Sequence, residues 1–581
     1  MKEENMALDA EMSNASALLY PVKATKEFFR RIHSTFDHKF LRYLVLCHIS
    51  FTGFFRLAMD LTLLPMAETA LKISAAELQR VSTVIMFPGV LKPTFAIISD
   101  MKPLFGYHKR PYLLFGGFLG LFAGVRLSTG KFEGNEAEVD FVVAVMCVYF
   151  TVVIFDCLVD GKRAEEMHKN PASGSDLIAY SMGMIVSGQI AALLFGYYAL
   201  QQEEYQWLYY CFIPLSLIAI VCTLMGELPE KKVNYKWQLK ALRVKVTSNQ
   251  FMLAGLLMCM GICLVYLQTI EVTSVEVLNT SLILNVVLGL CIVALCKVLL
   301  PRFAGNVIVY AFCERLLSIK FQHAVNYWYT LPQNCVPDGP HFDYVYFNIT
   351  NGFIALIFSG FGIWFFQEAF SSGRLRSVFW WSSGTRCIGS ICDLLVVSRI
   401  NLKWGIPDQV AYAVGNSCLE AMVFMLSVMP FAILIAKLVV AGTETTLISI
   451  LSAASALGTL MASSLGALAI EYAGIQTNVE DPNQQCDWSN LQSLIFICGV
   501  LCPLLCVPLT LLLIPNILVT SNFEMDNYSG EVIAVVNEDG TREEVVYADD
   551  FKKGGAGNKN RKNNNLFDTG ISDSDYEDDD D

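Results

Sequence analysis

Apolar residues run along this chain in long unbroken stretches, with polar residues gathered between them. Fourteen stretches, each near the roughly 20 residues that a helix needs to cross hydrocarbon, lie at about 40–63, 78–99, 111–128, 140–160, 177–200, 207–227, 251–271, 280–299, 304–330, 345–369, 377–399, 409–437, 445–471 and 490–514. A segment that is apolar all round has no stripe to show to water, and lipid offers its backbone no hydrogen-bond partner, so each stretch predicts a spanning helix. Longer polar segments fall at the start, at Glu230–Lys245 and after 515. The predicted organisation is an N-terminal segment 1–38, a six-helix bundle 39–228, a basic linker 229–250, a two-helix insert 251–300, a second six-helix bundle 301–515 and a disordered acidic tail 516–581.

Composition agrees with that pattern. The 581 residues are 54% hydrophobic and 16% charged, with a mean hydropathy of +0.46, where soluble domains carry about 25% charged residues. The class is an all-α polytopic membrane protein. The net charge of −13 says little about partners, because much of it sits in Ser572–Asp581, and nothing points to nucleic acid. Most of the 18 cysteines lie inside apolar runs and act as small hydrophobes. No paired C-x-x-C motif predicts a metal, and no cofactor is expected. The polar start, without an apolar core, predicts no cleavable signal.

Positive charge sets the expected orientation. With both termini in the cytoplasm, the loops carrying Lys109/Arg110, Lys162/Arg163, Lys231–Lys245, Lys297/Arg302 and Arg374/Arg376 face inward, while acidic or neutral loops face out. The sequons at Asn279 and Asn348 then lie on or near the outer face, abutting helices. Cys335 and Cys486 fall in the two longest outer loops, where they either pair or stand free.

Charge inside a span costs about 2.5–3.5 kcal/mol on insertion scales, so such residues face a cavity or a partner. They are distributed unevenly here: His48, Arg56 and Asp60 in the first stretch, Asp156 and Asp160 in the fourth, Glu314, Arg315, Lys320 and His323 in 304–330, Arg386 and Asp393 in 377–399, and Glu420 in 409–437. Arg56 and Asp60, four apart, share a helical face and can pair with each other. Arg386 and Asp393, two turns apart, can do the same. Adjacent Glu314 and Arg315 point about 100° apart and are not expected to face one partner. The set Glu314, Arg315, Lys320 and His323 is too dense for packing alone.

One loop carries a resemblance. Ser99-Asp100 ends an apolar run, and Lys102, His108, Lys109 and Arg110 precede the next at Pro111. An acid at the entrance and bases at the exit suit a gating latch of Asp100, Lys109 and Arg110, or only a topology signal. The loop resembles that between helices two and three of major facilitator transporters. Its spelling S-D-x-x-P-x-F-G-Y-H-K-R-P-Y is similar to that of the folate–biopterin transporter family, protozoan type. The stretches Asp160–Ser175 and Trp404–Asp408 resemble further family segments. Met429-Pro430 followed by Ala441–Thr446 is similar to another, with Thr445 where the family has glycine.

The resemblance implies a major facilitator fold: two six-helix bundles around a cavity, here with the extra hairpin between them. It implies a multi-pass carrier that imports folate or pterins such as biopterin with protons by alternating access, and the expected location is the plasma membrane or an organellar one. The same fold carrying S-adenosylmethionine or another heteroaromatic solute is the alternative. A carboxylate, Asp156 or Glu420, suits the donor edge of a pterin, and Arg315, Lys320 or Arg386 suit the carboxylates of folate. Tyr327, Trp328 and Tyr329 either stack on the ring or form an interfacial belt. Asp60, Glu314 and Asp393 are proton-coupling candidates, as is Glu420. A membrane enzyme or receptor is the rival of another class, but neither H-E-x-x-H nor G-x-S-x-G occurs, and no catalytic residue is expected.

Overall fold

The computed structural model describes residues 26–518 apart from 27, 131, 133–136, 171–172, 231, 233–247, 270–274, 371–372, 428–443 and 478–485, together with 522–525, 532–536 and 542–544. Ser572, Ser574, most of the basic linker, and Met429, Pro430 and Ala441–Thr443 of the family-like segments lie outside the described residues.

The first bundle holds α1 (His38–Leu71), α2 (Ala75–Ser99), α3 (Arg110–Thr129), α4 (Ala137–Met167), α5 (Asp176–Gln201) and α6 (Gln206–Met225). The hairpin is α7 (Met252–Gln268) and α8 (Glu276–Leu299). The second bundle follows: α9 (Arg302–Leu317), α10 (Gln322–Thr330), α11 (Val345–Phe370), α12 (Leu375–Val397), α13 (Asp408–Ser427), α14 (Ser449–Tyr472) and α15 (Leu491–Leu513). Among the described residues, 11 of these helices are long and apolar enough to cross a membrane. The remaining expected stretches are also helical. α7 is shorter, α12 carries Arg376, Arg386 and Asp393, and the stretch 304–330 is broken into α9 and α10.

Small residues let these helices approach closely, as packing in lipid requires. α14, rich in Ala, Ser and Gly, lies along α9 and α2. α5 meets α1 on one side and α11 on the other, so α2–α14 and α5–α11 are the seams between bundles. The hairpin bridges one seam, with α7 on α2 and α14 and α8 on α9 and α14. Its polar anchor is Ser464, whose Oγ accepts from Gln268 Nε2 at 2.8 Å and Asn285 Nδ2 at 3.2 Å.

Cys335 and Cys486 are bonded, tying the loop after α10 to the loop before α15. Both sequons lie within helices. Asn348 Nδ2 donates to Leu61 O at 3.3 Å, and Asn279 Oδ1 accepts from Tyr472 OH, so helix packing uses both side chains. Within the segment 516–581, expected to be disordered, the described residues include three short strands. β1 (Asn522–Met525), β2 (Val532–Val536) and β3 (Arg542–Glu544) form an antiparallel sheet in that order. The run Val532-Ile-Ala-Val-Val536 has the β-branched side chains that favour a strand.

Candidate functional site

The break between α9 and α10 carries the chemistry. Residues 318–321 leave the helical path, with Ser318 at ψ 65°. Lys320 N donates instead to Ala462 O of α14 at 3.1 Å, and the Lys320 carbonyl is pressed against Gly466. A Cβ on Gly466 would lie 1.7 Å from that oxygen, so only glycine admits the unwound turn. Irregular backbone at membrane depth is tolerated where it lines a cavity. Here Ser318–Phe321 line one of about 120 Å³, together with side chains of α12, α13 and α15.

Arg315, Lys320, Arg386, Asp393 and Glu420 all border this cavity. Their partners divide them. Glu314, 5% exposed, lies 3.1 Å from Arg386 Nη2 and 3.2 Å from Arg315 Nε, and Ser427 Oγ donates to it at 3.4 Å. Glu314 therefore holds two guanidinium groups in place. The neighbours 314 and 315, not expected to face one partner, pair with each other instead, Arg315 Nε lying 3.2 Å from Glu314. Arg386 and Asp393 do not pair either. Asp393 accepts from Tyr329 OH at 2.9 Å, while Arg386 turns to Glu314. Among the described residues, no acid lies within 4.0 Å of the Lys320 ammonium and no cation within 4.0 Å of the Glu420 carboxylate. Two charges of opposite sign thus remain open in one cavity.

Asp156 is not brought to that cavity. It belongs to the first bundle, where Lys92 Nζ of α2 donates to it at 2.5 Å. The sequence reading passed over Lys92, although a lysine inside an apolar stretch is a visible signal. Asp60 accepts from Tyr149 OH at 2.8 Å, and no ion pair within 4.0 Å joins it to Arg56. The three aromatics after the break neither form a belt nor line the cavity. Tyr327 OH donates to Ile73 O at 2.8 Å, Trp328 lies under the Arg399 guanidinium, and Tyr329 holds Asp393.

The two bundles are fastened near the disulfide. Gln79 Nε2 donates to Ser463 Oγ at 2.6 Å, Ser82 Oγ lies 2.8 Å from His323 Nε2, and Ala75 N donates to Thr477 Oγ1 at 2.9 Å. Arg80 pairs with Glu471. Glu68, 7% exposed at the end of α1, accepts from Thr330 Oγ1 at 2.6 Å and from Tyr344 OH. Glu68, Gln79 and Ser82 were not singled out in the sequence, since a single polar residue near a helix end resembles interfacial polarity.

The loop between α2 and α3 also has a defined role. Glu230, just after α6, accepts from the backbone N–H groups of His108 (2.6 Å), Lys109 (2.8 Å) and Arg110 (3.3 Å), which places an anion at the start of α3. Arg110 donates to Leu228 O at 2.7 Å and stacks on Tyr107. The loop thus joins α3 to the end of α6 within one bundle. The Asp100 side chain lies outside the described residues.

Two six-helix bundles, with a cavity at a broken helix and a polar clasp between the bundles, define the major facilitator fold. Solved structures with this fold include an auto-inhibited POT family peptide transporter (TM-score 0.54, 14% identity, covering 81% of this chain and 96% of that one). A D-xylose–proton symporter aligns with TM-score 0.51 and 13% identity over 81% of this chain and 96% of its own. The chain belongs to the BT1 family, whose model matches residues 52–529. Relatives include a probable folate-biopterin transporter 2 of Arabidopsis thaliana, 22% identical over 68% of this chain and 69% of its own. A folate-biopterin transporter of Synechocystis is 20% identical over 67% and 66%.

Proposed function

We propose that the protein carries a folate or pterin across a membrane by alternating access, driven by protons. The observation that carries this reading is the unwound turn at Lys320 opening onto a cavity of mixed charge. Broken helices at the centre of a carrier are where solutes bind. The Lys320 ammonium offers three donors to a carboxylate, and Glu420 offers two acceptors to the N–H and amino edge of a flat heterocycle. Arg315 and Arg386, restrained by Glu314, shape the field of the site. The names of the relatives supply the solute class. The clasp at Glu68, Gln79 and Ser82 must open for that face to admit solute, and the latch at Glu230 keeps the first bundle rigid as it moves.

The disulfide face is the non-cytoplasmic one in this reading. Disulfides persist in oxidising compartments, and the basic loops lie at the opposite ends of the helices. In this reading the N-terminus and the end of α15 face the cytoplasm, and the membrane is the plasma membrane. The test is uptake of labelled folic acid, biopterin and S-adenosylmethionine into proteoliposomes under imposed pH gradients. Folate or biopterin uptake that rises with an acidic outside supports the reading. Uptake of S-adenosylmethionine alone would transfer the site to a cationic solute, and no uptake of any of the three would end the proposal.

A further inference from the structure

His48 is 1% exposed, and neither of its ring nitrogens has a hydrogen-bond partner. It opens the π-helical stretch His48–Phe55 of α1. α5 closes one side of this stretch: a Cβ on Gly188 would lie 2.2 Å from Ile49 O, and one on Gly53 would lie 2.6 Å from Ile185 O. On the other side, His48 Nε2 lies 3.9 Å from Asp160 Oδ1 of α4. That oxygen is also buried and makes no hydrogen bond, although the Arg163 guanidinium lies 3.0 Å away as an ion pair. Buried polar atoms in folded proteins are nearly always partnered. A buried imidazole with both nitrogens unpartnered, one of them 3.9 Å from a carboxylate oxygen, marks a place where a partner comes and goes.

A proton is the partner that fits. On Nε2 it makes the imidazole a donor and a cation, and a small side-chain shift then closes the gap to a charge-assisted bond with Asp160. The surrounding charges are already committed. Lys92 of α2 is bound to Asp156 at 2.5 Å, and Arg163 is paired with Asp160 at 3.0 Å. On α4 the Cys157 thiol donates to Lys92 O at 3.4 Å. On α1 the Tyr43 phenol is held by Thr223 at 2.7 Å, and Arg56 lies two turns further on. α5 presents no charged residue between Leu177 and Gln201. The Asp160 side chain is 36% exposed, which gives the proton a way in and out.

We infer that His48 and Asp160 form the proton-carrying site of this transporter, in the first bundle and apart from the solute cavity in the second. The inference rests on the transport reading above. Only N–H and O–H bonds change: the proton comes from water on one face and returns to water on the other. Asp60, Glu314 and Asp393, the carboxylates named from sequence, each already receive a fixed protein donor.

The test uses the full chain in proteoliposomes with labelled folic acid, comparing accumulation driven by a pH gradient with counterflow exchange, which needs no net proton movement. In His48→Gln and Asp160→Asn, gradient-driven accumulation falls at least about tenfold while counterflow stays within about twofold of wild type. Asp160→Asn carries the test alone if His48→Gln does not fold, since its amide is isosteric and partly exposed. Gradient-driven accumulation retained in Asp160→Asn overturns the site. Wild-type counterflow with no response to the gradient overturns the proton site and leaves the carrier reading standing. Absence of counterflow in wild type overturns both.

Discussion

Arg110 and Arg376 hold corresponding places in the two bundles. Arg110, at the start of α3, donates to Leu228 O at 2.7 Å and Gly226 O at 3.4 Å, just past the end of α6. Arg376, in the first turn of α12, donates to Ile514 O at 2.7 Å and Leu511 O at 3.2 Å, at the end of α15. A cation at a helix C-terminus satisfies orphan carbonyls and opposes the helix dipole. The third helix of each bundle thus caps the sixth, as expected of two copies of one six-helix unit. Arg110→Ala and Arg376→Ala are each expected to cost about 1–3 kcal/mol of stability. The two losses should add in the double variant, because the sites share no partner. Thermal unfolding of the detergent-solubilised variants checks this.

Gly466 is expected to tolerate no side chain. In Gly466→Ala the new Cβ meets Lys320 O at 1.7 Å, so the unwound turn must move and the cavity with it. Uptake per surface-expressed molecule should fall at least about tenfold. Gly183→Ala on α5, where a Cβ meets nothing within 4 Å, should transport normally. The checking measurement is folate uptake normalised to surface labelling.

The clasp between the bundles gives a prediction about motion. Cysteines placed at Gln79 and Ser463, whose side chains now touch at 2.6 Å, should cross-link the bundles under oxidation. Cross-linking should stop uptake, and reductant should restore it. Uptake unaffected by a complete cross-link would show that this face never opens.

Glu314 is expected to act by holding others. In Glu314→Gln, the Arg315 and Arg386 guanidinium groups lose their shared anion. Removing one partner of a buried ion pair costs about 3–5 kcal/mol, so the effect should appear as lowered stability and lowered affinity together. Lys320→Ala should lower affinity while leaving stability nearly unchanged, because Lys320 has no protein acid within 4.0 Å among the described residues. Melting curves and binding isotherms on the same samples separate the two.

The two bundles were legible because bilayer thickness imposes a length on every spanning helix. The charges of Arg315, Lys320, Arg386, Asp393 and Glu420, which border the cavity, were visible in the sequence, since charge in an apolar stretch stands out. What they do was less visible. The segment Glu314–Gln322 contains neither proline nor glycine, so nothing local announces the break at Lys320. The unwound turn seats its Lys320 carbonyl against Gly466 on another helix, and a single sequence does not reveal that contact. Spacing paired Arg386 with Asp393, but tertiary neighbours Glu314 and Tyr329 took them instead. Asp156 lies apart from this cavity, held by Lys92, which sits beside Pro93 just after the 3₁₀ stretch Phe87–Leu91 of α2.

The most direct measurement is equilibrium binding of labelled folic acid to the purified full-length wild type and to its Lys320→Ala and Glu420→Gln variants. The cavity account predicts saturable wild-type binding, weakened at least about tenfold, near 1.4 kcal/mol, in each variant. Wild-type affinity retained in both variants would contradict it.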